Sequence, residues 1–418
     1  MRVCVLGAGI AGLAAAWKLQ CEGHEVTIVD RAQAGAGASG ANGAQLSYAY
    51  VQPLADPALW AQLPRLLFSR HSPLTLRPRW DVDQWRWGLA FLAACRTAVS
   101  RRTTMQLLAL AAESRRSFDR LLAEQAIDCD FSASGKLVLY PDERSFGNAR
   151  RQLALQQTLG VEQRAASAAE CVEIEPTLAG YRPNIAGAIY TPGECAADCY
   201  KVCLELLRLL RARGARTIFD TEVSGLVTRR GRVAAVRTAA GLVEADAFVV
   251  ALGSASARLA RLQGLYLPVY PLKGYSLTLP SNDSAPRVNV TDAARKVVFA
   301  RIGQRLRIAG MAELVGDDLS IPAKRTRSLA AAARDLFGDC GDLSQSEAWA
   351  GLRPATPTGL PVIGPHPKGP PNLLFNTGHG ALGFTLAFGS AQRVAALLRT
   401  PRAHTLTPAA ARPVPYSA

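Results

Sequence analysis

The first thirty residues constrain this chain more tightly than any other stretch. Val3-Cys4-Val5-Leu6 reads as an apolar strand, Gly7-Ala8-Gly9-Ile10-Ala11-Gly12 as a glycine-punctuated turn opening a helix, and Glu25-Val26-Thr27-Ile28-Val29-Asp30 as a second strand closed by an acid. Each part has a physical task. Gly7 permits the tight turn, Gly9 lets backbone approach a pyrophosphate, Gly12 lets helix and strand pack closely, and the helix N-terminus meets the phosphates. Asp30 then reaches a ribose hydroxyl, with Arg31 beside it. A glycine triplet alone is weak evidence, but the strand before it, the helix after it and an acid 18 positions beyond Gly12 complete a βαβ fingerprint. A mere glycine-rich turn would need no acid, so the pattern predicts a dinucleotide site in a Rossmann-like α/β unit.

At 418 residues the chain exceeds what one core usually serves, and two domains are expected. Its 49% hydrophobic and 19% charged residues describe a globular protein. The net charge of +15 favours anionic partners: a lipid surface, nucleic acid or an acidic substrate. No basic run interleaved with base-stacking aromatics matches an RNA or DNA module, so nucleic acid is not expected. Met1-Arg2 followed by apolar residues and Ala14-Ala15-Ala16 has the look of a secretory signal, but cleavage would discard the fingerprint. The segment is therefore expected to be retained and the protein cytoplasmic. The most apolar stretch, Gly378 to Leu398, contains His379 and Arg393 and reads as a buried helix, not a span. Nine cysteines without framework spacing point to reduced thiols. Cys195, Cys199 and Cys203 share one stripe of an expected helix, a packed face and not a metal site.

After the fingerprint comes a small-residue loop, Gly35 to Gln45, able to press backbone against a flat ligand. From Ala58 to about Ile127 the pattern is helical, clearest from Leu107 to Leu122. Short strands follow between Arg216 and Val250, and Ala251-Leu252-Gly253-Ser254 forms a second glycine turn. Val269 to Leu279 and Val297 to Gly310 alternate like antiparallel strands. The nucleotide-binding pieces are thus expected at 1–57, 194–262 and 348–418, interrupted by substrate-binding pieces at 58–193 and 263–347. Trp349 to Gly364 is too punctuated to be a helix or a regular strand throughout, which places Arg353 on a stiff, shaped segment. Leu373-Leu374-Phe375 then leads through Asn376-Thr377-Gly378-His379-Gly380 into a helix whose first N–H groups would face an acceptor gaining negative charge. The pyrimidine edge of a reduced flavin is such an acceptor.

On these residues the chain resembles the D-amino-acid oxidase superfamily of FAD enzymes, and within it the bacterial D-amino acid dehydrogenase small-subunit group. The glycine fingerprint, Ala41-Asn42-Gly43-Ala44-Gln45-Leu46-Ser47, Tyr270-Pro271-Leu272-Lys273-Gly274-Tyr275-Ser276, Gly310-Met311-Ala312-Glu313, Trp349-Ala350-Gly351-Leu352-Arg353-Pro354 and the Gly378-His379-Gly380 loop carry the likeness, in family order over nearly the whole chain. The resemblance implies a Rossmann-like FAD-binding domain interleaved with an α+β substrate domain on an antiparallel sheet, as in glycine oxidase. It places the FAD pyrophosphate on Gly7 to Gly12, with Ile10 and Ala11 in the same turn. The ribose lies on Asp30, adenine near Val223, and Gly253 stands close by. Ser39, Ala44, Gln45 and Leu46 approach the middle of the cofactor, and Gly378, His379, Gly380, Leu382, Gly383, Phe384 and Thr385 its pyrimidine side. Some members hold flavin through a cysteine; Gly351 stands in that place, which implies non-covalent FAD.

Oxidation of an amino acid at Cα needs the α-hydrogen held against the flavin and the carboxylate bound. Arg353 matches the carboxylate-binding arginine of similar oxidases, a task suited to a planar guanidinium. Tyr275 could share the carboxylate, with Tyr48 and Tyr50 as weaker pocket candidates, Lys273 near the ring or on a solvated position, and His379 assigned to the cofactor loop and not to catalysis. The resemblance implies D-amino acids as substrates, 2-oxo acids and ammonium as products, and a quinone of the respiratory chain as electron acceptor. An oxidase of glycine, sarcosine or D-hydroxyproline using O2, and a flavin-binding assembly subunit of a larger complex, stay open as alternatives. D over L handedness and the preferred side chain do not follow from the residues. Between Trp60 and Arg102 lie Trp60, Trp80, Trp85 and Trp87 and eight arginines against Asp81 and Asp83 alone, a composition suited to an anionic membrane surface. Peripheral attachment at the inner face of the cell membrane is the matching expectation.

Overall fold

The computed structural model describes residues 1–57, 74–157 and 162–399. The fingerprint forms as its spacing requires: strand Arg2–Leu6, helix Ile10–Cys21 and strand Glu25–Val29, the two strands parallel with Val3 opposite Val26. Ala247–Val250, Leu373–Thr377 and Arg216–Ile218 extend this parallel sheet, and Val362–Pro365 closes one edge antiparallel, giving six strands. A period of two sorts its side chains between the two faces. Val3 and Val5 pack against helices Ile10–Cys21, Cys199–Ala212 and Gly383–Arg399, whereas Cys4 and Leu6 pack with Val233, Val236 and Val243 of a small antiparallel sheet spanning Val223 to Glu244. Buried on both faces, the central strands carry almost no polar residue, as a covered parallel sheet demands.

A second, nine-stranded and mainly antiparallel sheet is built from Leu74–Leu76, Lys136–Tyr140, Arg164–Ala166, Gly187–Thr191 and the strands from Tyr270–Pro280 to Glu347–Ala355. One of its faces is sealed by helix Ala323–Phe337, whose Leu329, Ala333 and Leu336 pack on Tyr275, Leu277, Phe299 and Ile308. The other face looks toward the parallel sheet across a cavity. Alternation along the strands decides which residue meets which.

Several expectations need correction. Helix Thr97–Glu124, expected with the substrate-binding part, belongs by packing to the nucleotide side: Leu107, Leu110, Phe118 and Leu121 lie in its core, and Phe118 contacts Phe384 and Phe388. Its apolar periodicity announced a helix but not the partner. The break expected at 347/348 also changes, while the stretch from Trp349 to Gly364, expected not to be a regular strand throughout, is divided between Glu347–Ala355 and Val362–Pro365 by a non-strand segment. Glu347–Ala355 is a continuous strand paired along its whole length with Tyr270–Pro280, so the second sheet extends to residue 355. It is an edge strand, where Pro354 removes no needed hydrogen bond. Cys195 is not on the helical stripe of Cys199 and Cys203; it sits on a two-residue strand paired with Gln45–Leu46, and the helix begins at Cys199, where the Asp198 carboxylate accepts the Tyr200 and Lys201 N–H groups. The terminal helix is buried as expected; Gly380–Arg399 is long and apolar enough to cross a membrane, yet more than half of it lies inside the core. Residues 58–73, with Trp60 and the start of the expected helical region, and the tail after residue 399 lie outside the described residues.

Candidate active site

A cavity of about 2390 Å³ runs between the two sheets. One end is floored by Ala8, Gly9, Ile10 and Ala11 and flanked by Asp30, Arg31, Val223 and Gly253. The three fingerprint glycines divide their tasks sterically. A Cβ on Gly7, whose φ is +112°, would lie 2.3 Å from the Ala251 carbonyl oxygen, and one on Gly12 would lie 1.9 Å from that of Gly7. Neither lines the cavity: they let the helix enter close to the strands. A Cβ on Gly9 would meet only the Ser39 hydroxyl, at 3.4 Å, so this backbone is bare toward the cavity. Asp30 braces the turn, its Oδ2 accepting the Ala8 N–H at 2.6 Å and its Oδ1 that of Ala32 at 2.9 Å, while the Ile10 N–H donates to Ser39 Oγ at 3.0 Å.

The loop after Ser39 is clamped between both sheets. Ser276 Oγ donates to the Ala41 carbonyl at 2.6 Å, Arg307 to that of Asn42 at 2.8 Å, and Gln45 Nε2 to that of Phe299 at 3.1 Å. The Ser47 N–H reaches Thr385 Oγ1 at 3.1 Å. Ala44 takes a positive φ of 58°, with its N–H donating to Asn42 Oδ1, which turns the chain along the cavity wall. Ala44 and Gln45 line the cavity; the Leu46 side chain does not, being buried in the nucleotide-side core. Opposite stand His379, Gly380, Leu382, Gly383, Phe384 and Thr385 at the entry of the terminal helix. Gly378 is behind them, where a Cβ would lie 2.6 Å from Thr356 Cγ2. His379 is buried with Nε2 unpartnered, and burial pulls its pKa down to about 4, so the ring is neutral near pH 7.

Arg353 comes from the edge strand. Register fixes its face: Gly351 pairs with Gly274, and Arg353 is two residues on, so its guanidinium shares their face and folds over Gly274, where a Cβ would lie 2.2 Å from Nη2, while the Trp349 ring covers Gly351. Nη1 donates to the Met311 carbonyl at 2.7 Å. Arg353 makes no ion pair among the described residues, and desolvation pulls its pKa down to about 10. A guanidinium held on a cavity wall without a counter-charge calls for an anion, and its planar fork suits a carboxylate.

The tyrosines divide differently from expectation. Tyr275 pairs with Ala350 and so points to the opposite face from Arg353; its hydroxyl donates to Glu313 Oε2 at 2.7 Å, and Glu313 is also ion-paired with Arg325. It touches the cavity wall, but its phenol is committed to that buried cluster. Lys273, on the same far face, is ion-paired with Asp318 at 3.3 Å and does not line the cavity. Tyr48 is a core residue beside Arg115 and is likewise outside the cavity wall. Tyr50 does line it, with Lys136 Nζ 4.5 Å from its ring centroid. Lys136 and the neighbouring buried Glu194 escaped the sequence reading. The one available signal was a lysine opening the apolar strand Lys136-Leu137-Val138-Leu139. All nine cysteines are free thiols and none lines the cavity, so its wall offers no sulfur to a covalent flavin link. The bare glycine floor, the acid at one end and, at the other, the histidine with its unpartnered Nε2 and the arginine without an ion pair among the described residues fit an extended dinucleotide with an anionic substrate beyond it.

Residues 2–397 match the DAO family, described as FAD dependent oxidoreductase. The chain is 47% identical over 413 residues to D-amino acid dehydrogenase 2 of Ralstonia nicotianae, covering 95% of this chain and 96% of that one. It is 46% identical to D-amino acid dehydrogenase 2 of Pseudomonas aeruginosa, covering 94% of each, and 40% identical to D-amino acid dehydrogenase of Paramagnetospirillum magneticum, covering 95% of each. Among solved structures, glycine oxidase from Bacillus cereus superposes with a TM-score of 0.74 at 22% identity, covering 95% of this chain and 94% of that one. L-Proline dehydrogenase from P. horikoshii superposes at 0.75 and 18%, covering 95% and 93%. At those identities the likeness speaks for the fold.

Proposed function

The chain belongs to the DAO family of FAD-dependent oxidoreductases, and on that footing we propose that it is a D-amino acid dehydrogenase, converting D-amino acids to 2-oxo acids and ammonium with Arg353 as the carboxylate anchor. The observation that carries the anchor is a guanidinium on the cavity wall with a carbonyl partner but, among the described residues, no carboxylate. FAD, when bound, accepts the hydride that leaves Cα. The protein contributes placement: Arg353 holds both carboxylate oxygens, and the absent side chain of Gly274 leaves it room to do so. The neutral His379 and the N–H groups from Gly380 onward form the wall at which the cofactor's pyrimidine edge belongs. The substrate ammonium gives a proton to water before oxidation, and the imine that results takes up water and releases ammonium.

The proposed electron acceptor is a membrane quinone. Helix Val82–Ala94 supports this reading because it has two apolar stripes: Trp87 and Phe91 face inward and line the cavity, while Val82, Trp85 and Leu89 are exposed beside an exposed Trp80. Arg77, Arg79 and Arg86 are exposed close by in the chain, Arg77 beside Asp318, Arg79 on the Val315 carbonyl and Arg86 over the Tyr266 ring, so the support for an anionic lipid surface is the exposed apolar stripe together with the net charge of +15. Docking there, on the inner face of the cell membrane, would bring the cavity near a lipid-soluble acceptor. Anaerobic mixing of the yellow holoprotein with D- and L-amino acids tests the activity. Bleaching by D-amino acids alone, with little hydrogen peroxide when air is admitted, is expected. Bleaching by L-amino acids or by none overturns the substrate assignment, and stoichiometric peroxide overturns the quinone.

A further inference from the structure

The edge strand Glu347–Ala355 sets a large side chain beside the carboxylate anchor, and the substrate chemistry gives it no task. Trp349, Gly351 and Arg353 alternate along the strand, so they share one face, and all three line the cavity. Across the strand pair, Gly274 and Gly351 each carry a neighbour's side chain in place of their own. The guanidinium covers Gly274, and the six-membered ring of the indole covers Gly351, where a Cβ would collide with Trp349 Cη2. The other end of the indole meets the nucleotide side, since a Cβ on Gly40 would lie 3.5 Å from Trp349 Nε1. A glycine thus clears space for each end. Ser276, which pairs with Trp349, donates to the Ala41 carbonyl, so strand and loop are fastened together where the indole bridges them.

Distance along the strand shows what the indole faces. Ala355 forms a bridge with His379, at the wall where the pyrimidine edge of FAD belongs. Gly351 stands four residues back, about 13 Å away at about 3.3 Å per residue, a span that a three-ring cofactor fills. Ala41, Asn42, Gly43 and Ala44 line the same cavity from the loop, and the slot between loop and strand leads from His379 to Trp349. We propose that Trp349 is a cofactor contact: its indole closes this slot at the benzenoid end of the FAD ring, retains the flavin by apolar burial and fixes how far the ring reaches along the strand. A half-buried indole on a fully paired strand suits that work, offering a large apolar surface in a fixed place. The proposal rests on bound FAD and not on which amino acid is oxidised.

The test reads the flavin of the holoprotein without substrate. An indole in contact with an excited flavin lends it an electron and takes it back, which quenches emission; a phenyl ring does not. Trp349→Phe should therefore raise emission per bound flavin several-fold, and Gly351→Ala, whose methyl group would displace the indole, should brighten it likewise. In Trp349→Leu, flavin should be lost on dilution about tenfold faster than in the wild type, the effect of one large apolar contact. Unchanged emission in Trp349→Phe, or unchanged flavin loss in Trp349→Leu, overturns the contact. Trp87 also lines the cavity, and brightening in Trp87→Phe but not in Trp349→Phe would overturn it too. Should Trp349→Leu fail to fold, emission from the other variants decides. A flavin that no D-amino acid reduces refutes the dehydrogenase reading and leaves these measurements to judge Trp349.

Discussion

Arg353 and Tyr275 come from adjacent, fully paired strands, yet a single step of strand parity gives them opposite work. Arg353 meets the cavity with no counter-charge, while the Tyr275 phenol is buried against Glu313 and Arg325. Replacing Tyr275 with Phe should therefore cost stability, by about 1–3 kcal/mol from the lost donor to a buried carboxylate. Chemical denaturation would register that loss while KM for D-alanine stays near the wild-type value; a large rise in KM with unchanged stability would return Tyr275 to the substrate pocket. Residues whose task is local were legible in the sequence: Gly7, Gly9, Gly12 and Asp30 act within one βαβ unit, and spacing alone encodes it. Tyr275 and Tyr48 were not, because the face a strand residue occupies depends on register with strands far away in the chain. Lys136 went unread because a lysine on a strand ordinarily carries its charge to solvent along its own stem, and only the folded sheet buries this one.

Among the elements, the pair of strands Tyr270–Pro280 and Glu347–Ala355 matters most. Gly274 and Gly351 face each other across it, the guanidinium lying in the trough over Gly274 and the Trp349 ring over Gly351. Gly274→Ala would put a methyl group into that trough. With flavin content unchanged, kcat/KM for D-alanine should drop by about tenfold or more, since small displacements of an anchoring group are costly. Unaltered kinetics in this variant would mean that Arg353 does not work from the position seen here. Several elements could be read ahead of the fold: the parallel strands from their apolar runs, Tyr270–Pro280 from alternation, the alternating stretch Val297 to Gly310, which the structure divides into Val297–Ile302 and Arg305–Leu314, and the terminal helix from its continuous apolar composition. Glu347–Ala355 was hidden because a proline and a glycine break the usual strand signal, which an edge position tolerates. Helix Thr97–Glu124 was legible as a helix, but its partner was not, because an amphipathic stripe states that a face is buried and not by what.

At the scale of the whole molecule, two sheets drawn from interleaved stretches of chain close on one cavity, so cofactor and substrate ends are built by residues hundreds of positions apart. The same interleaving sets helix Val82–Ala94 between cavity and solvent, its outer stripe of Val82, Trp85 and Leu89 bare. Vesicles containing acidic lipid should therefore retain the protein at low ionic strength and release much of it as salt rises toward about 1 M, where screening shortens to about 3 Å. Trp80→Ser with Trp85→Ser should weaken the retention at every salt concentration, and retention indifferent to both salt and these substitutions would remove this face from the account. The claim on which everything else stands is that a flavin and the Arg353 guanidinium share this cavity, with the guanidinium holding the substrate's carboxylate. Propionate, a carboxylate without an amine to oxidise, reports on it directly through the flavin absorbance. Its affinity should fall by about 30-fold or more in Arg353→Leu while flavin content stays that of the wild type, and equal affinity in the two proteins would contradict the account.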